Sequence, residues 1–458
     1  FFQARSAGVG QQSILGFRMG AAALGCLGAE GLDENIQGRS IWDVFDVGDR
    51  LGSGNFGEVR RCYRRDRSRS EEYAVKIVDR QSASVRAAEA YQTARDELDI
   101  MSCLNHPNVV QLKHLFEDDR FLYVVMELVV GGELFKAISS KGSVVFEEDI
   151  ARVGMQTLDA LEYLHGLSIV HRDIKAQNML LTEKPQVPGR ALENTEVKLI
   201  DFGLATRLRQ ECIMGKEAQL DLVCGTPAMC APEIWAAQDA APKKWKTLWG
   251  PLYGAKVDVW ATGVVLYMAL FGKLPFHEKK SERLACRVCD PDDTPSFRGK
   301  GFQVTPGCRK FLGSLLEKDQ TLRPSSSQAS KDGWLRGRKT RGLSLQEIPA
   351  EVREAALQEA EAMLLEPFPS WVCAGDDDDG SVHTGSGPAR RRLSDAGACE
   401  AVERSDAFEQ LRQQEGTSRA CARPGPLHRV ASRTGSSPRM SSASSCSSDE
   451  ESAAHTCC

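Results

Sequence analysis

Apolar positions in this chain change their period partway along. From Phe45 to Leu128 they recur in short runs broken by turn residues: "FDVGDRLG", "EVRRCYRR", "EYAVKIVDR", "VVQLKHLFED" and "RFLYVVMEL". Runs of that length, rich in Val, Ile, Tyr and Phe, predict β-strands. A helical stretch at 86–103 separates the third from the fourth. Beyond Gly132 the spacing becomes helical, as in "EEDIARVGMQTLDALEYLHGL" and "KVDVWATGVVLYMALFG". A strand-rich first lobe (44–130), a helix-rich second lobe (131–336) and a cleft between them follow from this pattern.

Both ends read differently. Residues 1–43 are rich in Gly and Ala without periodicity and are expected to form a flexible tail. If translation began at Met19, Gly20 and Cys26 would be presented for lipid anchoring, although Leu24 stands where the myristoylation pattern wants Ser or Thr. An extension over 337–372 holds a further predicted helix, 343–368, with Val352, Ala356, Ala360 and Met363 along one stripe. From 373 to 458 Ser, Arg, Gly and Asp dominate, too polar to build a core, and disorder is expected. Insertions around 183–196 and 237–252 read as surface loops.

Composition narrows the function classes. Across 458 residues, 41% are hydrophobic and 26% charged, and the formal net charge is -5, which gives no case for a nucleic-acid partner. The 15 cysteines lack metal-ligand spacing and read as reduced thiols of a cytoplasmic protein. No run of 18 apolar residues is present, so no transmembrane span is expected.

The chemistry begins at "LGSGNFGEV". Gly52, Gly54 and Gly57 lie between two strand-like runs, where backbone N–H groups can approach phosphate oxygens without a Cβ in the way. A dinucleotide-binding loop also uses such glycines, but there they open a helix. Lys76 sits in the apolar strand "YAVKIV", where a buried ammonium needs a counter-charge. Glu97 on the following helix supplies one, against the alternative of an exposed lysine on an edge strand. "VKLIDFGLA" ends an apolar strand on Asp201, and "HRDIKAQN" carries Asp173, Lys175 and Asn178. A carboxylate and an amide oxygen are hard ligands suited to magnesium held with phosphates.

Taken in order, "GSGNFGEV", "AVK", "HRDIKAQN", "DFG" and "APE" resemble a eukaryotic protein kinase, over the stretch from the glycine loop to "LRP". The resemblance implies an α+β, two-lobed fold that uses ATP and Mg2+ to phosphorylate protein. By it Asp173 is the catalytic base, with Lys175, Lys76 and Glu97 in the catalytic set, and Asn178 and Asp201 bind metal. Leu51, Gly52, Ser53, Gly54, Asn55, Phe56, Gly57, Val59, Ala74, Lys76, Met126, Glu127, Val129 and Glu133 would surround the nucleotide and the groove beside it. Glu233 is expected to pair with Arg323, Asp258 to brace the catalytic loop, and Met101, Leu112, His171 and Phe202 to stack between the lobes. Lys175 marks the serine/threonine branch. "VMELVVGGELFKAI" is similar to the calcium/calmodulin-dependent group, in which the acid at Glu133 favours arginine before the acceptor. Gln177 and Met268 depart from the usual residues there and weaken that expectation, and Met229 stands where an aromatic is usual, which implies a different peptide-docking floor.

Two rivals remain at this point: a catalytically dead scaffold, which predicts loss of Lys76, Asp173, Asn178 or Asp201, and a small-molecule kinase, which "GTP…APE" disfavours. Between Arg207 and Gly225 no Ser, Thr or Tyr occurs, so Glu217 or Asp221 is expected to supply a permanent charge for Arg172. "GDDDDGSVHTGS" lacks the first and last ligands of a calcium loop, and the 343–368 helix is acidic, which speaks against calmodulin. A monomer is expected, with Ser394 and Ser432 in the tail as targets of upstream kinases.

Overall fold

The computed structural model describes residues 39–362, apart from 55–56, 66–70, 80–84, 185–191, 193–194, 209–219, 221–223, 239–240, 251, 299–302 and 337–346. All of them belong to the unit Phe1–Ala401; the second unit, Val402–Cys458, lies outside the described residues with most of both expected tails.

The folded body begins earlier than the polar leader suggests. Ser40 caps a one-turn helix α1 (Ile41–Val44), accepting from the Trp42 N–H. Ile41 and Trp42 are buried, so these two residues pack into the core although they fall within the expected tail.

The first lobe is one antiparallel five-stranded sheet, ordered β1-β2-β3-β5-β4. Its strands are β1 (Phe45–Gly54), β2 (Gly57–Arg64), β3 (Glu72–Asp79), β4 (Leu112–Glu117) and β5 (Phe121–Glu127). Helix α2 (Val85–Met101) enters between β3 and β4 and packs on β3. Gly57 starts β2 at φ 151°, and a Cβ there would lie 2.3 Å from the Ile77 carbonyl oxygen, so the turn accepts only glycine.

The second lobe is built around α7 (Lys256–Phe271), buried on nearly all sides as a helix apolar all round should be. Against it lie α4 (Glu147–Gly166) and α9 (Pro306–Leu315), with the short α3 (Leu134–Ile138) beside the cleft. Acids at Glu147, Glu148 and Asp149 open α4, where the helix dipole favours negative charge. The hairpin β7 (Met179–Leu181) with β8 (Val197–Leu199) lines the cleft floor. Residues 237–252 are not the surface loop expected: Lys243–Trp249 is a helix with Trp245 and Trp249 buried, and Trp249 Nε1 donates to the Cys289 carbonyl at 3.0 Å. The four-residue spacing of those tryptophans places them on one helical face.

Helix α12 (Ala350–Ala362) lies within the predicted 343–368 helix; Met363 lies outside the described residues. The residues before it run beside α4's start, where the Ile348 N–H donates to the Val145 carbonyl at 2.9 Å. Val352 and Ala356 are buried, and so is Arg353. Its Nη1 donates to the Ile138 carbonyl at 2.8 Å and its Nε to the Ile348 carbonyl at 3.2 Å.

Helix α7 ends on Gly272 at φ 64°, a left-handed cap that lets the Val352 backbone approach. A Cβ at Gly272 would stand 2.3 Å from the Val352 carbonyl oxygen. Gly272→Ala is therefore expected to destabilise the chain by about 1–3 kcal/mol, read from urea unfolding midpoints. Unchanged or raised stability would mean that α12 does not rest on the end of α7.

Candidate active site

The residues singled out in the sequence lie on both sides of the cleft. Lys76 and Ala74, two apart on β3, share one face of the sheet. Ala74 pairs across to Met126 on β5, and Lys76 to Val59 on β2. Lys76 Nζ donates to Glu97 Oε2 of α2 at 2.6 Å, with both side chains largely buried. Burial alone would lower the Lys76 pKa. The carboxylates of Glu97 and Asp201 outweigh it and hold the ammonium above its ordinary value.

Across the cleft Asp173 is the hub. Its Oδ2 accepts from Lys175 Nζ at 2.7 Å and from Asn178 Nδ2 at 2.9 Å, and its Oδ1 from the Thr226 hydroxyl at 3.1 Å. Asn178 Nδ2 also reaches the Asp173 carbonyl at 2.9 Å, so its side-chain oxygen is what remains to meet a cation. Asp201 follows β8 at φ 64°, exposed, with Oδ1 receiving only a long 3.4 Å contact from the Gly203 N–H.

Among the described residues no group of three His, Cys, Asp or Glu side chains forms a metal cage. The Asn178 amide oxygen and the Asp201 carboxylate are hard oxygen donors, the kind that magnesium takes together with water and phosphate.

The protein kinase domain family matches residues 45–335. The chain belongs to the protein kinase family. It is 36% identical over 319 residues to the serine/threonine-protein kinase DCLK2 of Homo sapiens, covering 68% of this chain and 36% of that protein. It is 32% identical over 294 residues to myosin light chain kinase A of Dictyostelium discoideum, covering 64% of this chain and 88% of that protein. Calcium/calmodulin-dependent protein kinase type 1B of Homo sapiens is 31% identical over 300 residues, 65% of this chain and 76% of that one. The chain thus spans about a third of the length of DCLK2, the first of these.

In this protein kinase domain the loop that bears Asp173 hangs from Asp258, at the start of α7 and fully buried. Asp258 accepts from the backbone N–H groups of His171 (2.9 Å) and Arg172 (2.8 Å), and His165 Nε2 stands 2.9 Å away. Burial would raise its pKa, but the His165 hydrogen bond and the His171 contacts hold the carboxyl below the ordinary aspartate value of 3.8. Arg172, at φ 63°, donates from Nε to the Leu204 carbonyl at 2.7 Å, and its Nη1 lies 3.4 Å from the Tyr253 hydroxyl. Glu217 and Asp221, expected to face Arg172, lie outside the described residues.

Glu233 and Arg323 form a bidentate pair at 2.6 and 3.1 Å, wholly buried, with the guanidinium over the Trp260 ring. Met101, Leu112, His171 and Phe202 are all buried, and the His171 and Phe202 rings lie 4.9 Å apart. Glu127 is spoken for by its side chain: Oε1 accepts from Lys198 Nζ and from the Gln111 N–H, each at 2.8 Å. Its backbone N–H in turn donates to the Gln111 carbonyl at 3.0 Å. Leu51 is exposed at the mouth, and Asn55 and Phe56 lie outside the described residues. Glu133, at the start of α3, points to the rim and is paired with Lys136 at 2.6 Å.

The Thr226 contact to Asp173 and the Tyr253 contact to Arg172 escaped sequence reading. "GTP" hinted at the first. Nothing near Tyr253 signalled the second.

Asp258→Asn replaces an acceptor oxygen with a donor facing N–H groups and is expected to cost about 2–3 kcal/mol at neutral pH. Because the folded pKa is depressed, the carboxylate's contribution is full above the unfolded value and lost as pH falls through the folded one. The stability gap between wild type and variant, measured by urea titration, should therefore shrink below the ordinary aspartate value of 3.8. A gap independent of pH would contradict this account of Asp258.

Proposed function

We propose that this chain transfers the γ-phosphoryl group of ATP to serine or threonine hydroxyls of proteins. What supports the reading is the buried Lys76–Glu97 pair at 2.6 Å in the sheet lobe together with the Asp173 carboxylate that gathers Lys175, Asn178 and Thr226 in the helical one. In this reading the Glu97-anchored ammonium, the exposed Asp201 carboxylate and the hydrogen-bonded Asp173 act on one nucleotide. The dead-scaffold rival is disfavoured because all four of Lys76, Asp173, Asn178 and Asp201 are present.

When bound, the magnesium nucleotide supplies the phosphoryl group and a metal charge that offsets its oxygens. The chain's residues do the positioning. Lys76, kept charged by two carboxylates, offers its ammonium to phosphate oxygens while Glu97 fixes its place. Asn178 and Asp201 present oxygens to the metal. Asp173 Oδ2 accepts the proton of an incoming hydroxyl, and Lys175, 2.7 Å from that oxygen, steadies the negative charge in transit. The Thr226 hydroxyl ties Asp173 to the segment on which an acceptor peptide would lie.

Magnesium as the ion, a monomeric enzyme in the cytoplasm and upstream kinases acting on Ser394 and Ser432 complete the reading, supported by the sequence pattern. Among the described residues no helix is long and apolar enough to cross a membrane. A preference for arginine upstream of the acceptor would rest on Glu133.

Asp173→Asn should lower phosphate transfer to a peptide array by about 10²–10⁴-fold while calorimetric ATP affinity stays within a few-fold of wild type. Undiminished transfer by the variant would remove Asp173 from the chemistry. ATP turnover with small alcohols but with no peptide would instead favour a small-molecule kinase.

A further inference from the structure

Helix α12 packs against α3, the short helix beside the cleft. Lys136, on the exposed face of α3, donates to Glu133 Oε1 at 2.6 Å. That bond is the main reason its ammonium is held above the ordinary value, and Glu361 of α12 adds a second nearby negative charge. Glu133 itself is fixed beside the catalytic loop. Its backbone bridges Leu180 of β7, and the Leu181 N–H donates to the Gly132 carbonyl at 2.9 Å. Leu180 stands two residues past Asn178, so Glu133 is joined to the strand that follows the Asp173–Asn178 loop.

The other end of α3 is held by α12 as well. Arg353 Nη1 donates to the Ile138 carbonyl at 2.8 Å, and the Ser139 hydroxyl donates to the Arg353 carbonyl at 2.5 Å. These two bonds tie the C-terminal end of α3 to α12, the helix that carries Glu361. A lone Glu133 would attract a basic residue of the acceptor peptide. With Lys136 bonded to it, the local field is close to neutral. Gln177 and Met268 carry no negative charge either.

We propose that Lys136 is a specificity-determining residue, which by masking Glu133 suppresses selection for arginine upstream of the acceptor, and that Glu361 of α12 sets how completely it does so. The proposal rests on the protein kinase reading. It predicts opposite effects from two single charges. Lys136→Met unmasks Glu133; Glu361→Gln removes the competing acid and leaves Lys136 wholly to Glu133.

The test compares kcat/KM for paired peptides that differ only in Arg or Ala three residues before the acceptor, using the full chain. For Lys136→Met the Arg/Ala ratio should rise by about threefold, and for Glu361→Gln it should fall by about twofold, the scale of exposed ion pairs. Lys136→Arg should restore the wild-type ratio. In a Lys136→Met background, Glu361→Gln should have no further effect if Glu361 acts through the lysine. Raising salt to about 0.5 M should shrink all of these differences.

Unchanged ratios, or shifts of the same sign in both single variants, would overturn the proposal while phosphorylation of either peptide upheld the kinase reading. No phosphorylation of any peptide by the wild-type chain would overturn both. A mere packing role for Lys136 would lower kcat for both peptides equally and leave their ratio alone, which also counts against the proposal.

Discussion

Asp258 has no water to turn to. Its carboxylate is fully buried, and what keeps it ionised is a set of donors drawn from elsewhere in the chain: His165 and the backbone N–H groups of His171 and Arg172. A buried charge without such partners costs several kcal/mol, so the partners and the charge stand or fall together. The consequence reaches the site directly. Bound to Asp258, the loop holds Arg172 at φ 63° and delivers Asp173 into the cleft. From there Asp173 gathers Lys175, Asn178 and Thr226 around one carboxylate.

The upper lobe contributes through a single ion pair. Lys76 and Glu97 belong to a strand and a helix that touch, and their 2.6 Å contact sets how far α2 stands from β3. Below it, Phe202 packs on His171, so the segment bearing Asp201 is tied to the same loop that Asp258 holds. Polar and apolar links thus run in parallel from α7 to the sheet. Neither set alone would fix the distance between Lys76 and Asp201.

Much of this was legible in the residues. Short apolar runs and then helical periods gave the two lobes, because strand and helix faces leave distinct spacings in a chain that must bury one side. Glycines before a strand, a lysine inside an apolar strand and acids at strand ends gave the candidate site, since each is costly unless something offsets it. The misses share a cause. Ile41 and Trp42 sit too close to a polar leader to show a period, and the helix at Lys243–Trp249 hides its two buried tryptophans among lysines. Arg353 reads as a surface charge on an acidic helix, yet it is buried because the Ile138 and Ile348 carbonyls need a donor there. Contacts between residues far apart in sequence carry no local pattern.

The central claim is that side chains from both lobes converge on one magnesium nucleotide. A crystal structure of the full chain with a non-hydrolysable ATP analogue and magnesium tests it most directly. It should show phosphate oxygens at Lys76 and a metal bound by Asn178 and Asp201, with Asp173 facing the terminal phosphoryl group. Nucleotide seated away from Lys76, or a metal with no ligand from Asn178 or Asp201, would contradict the account.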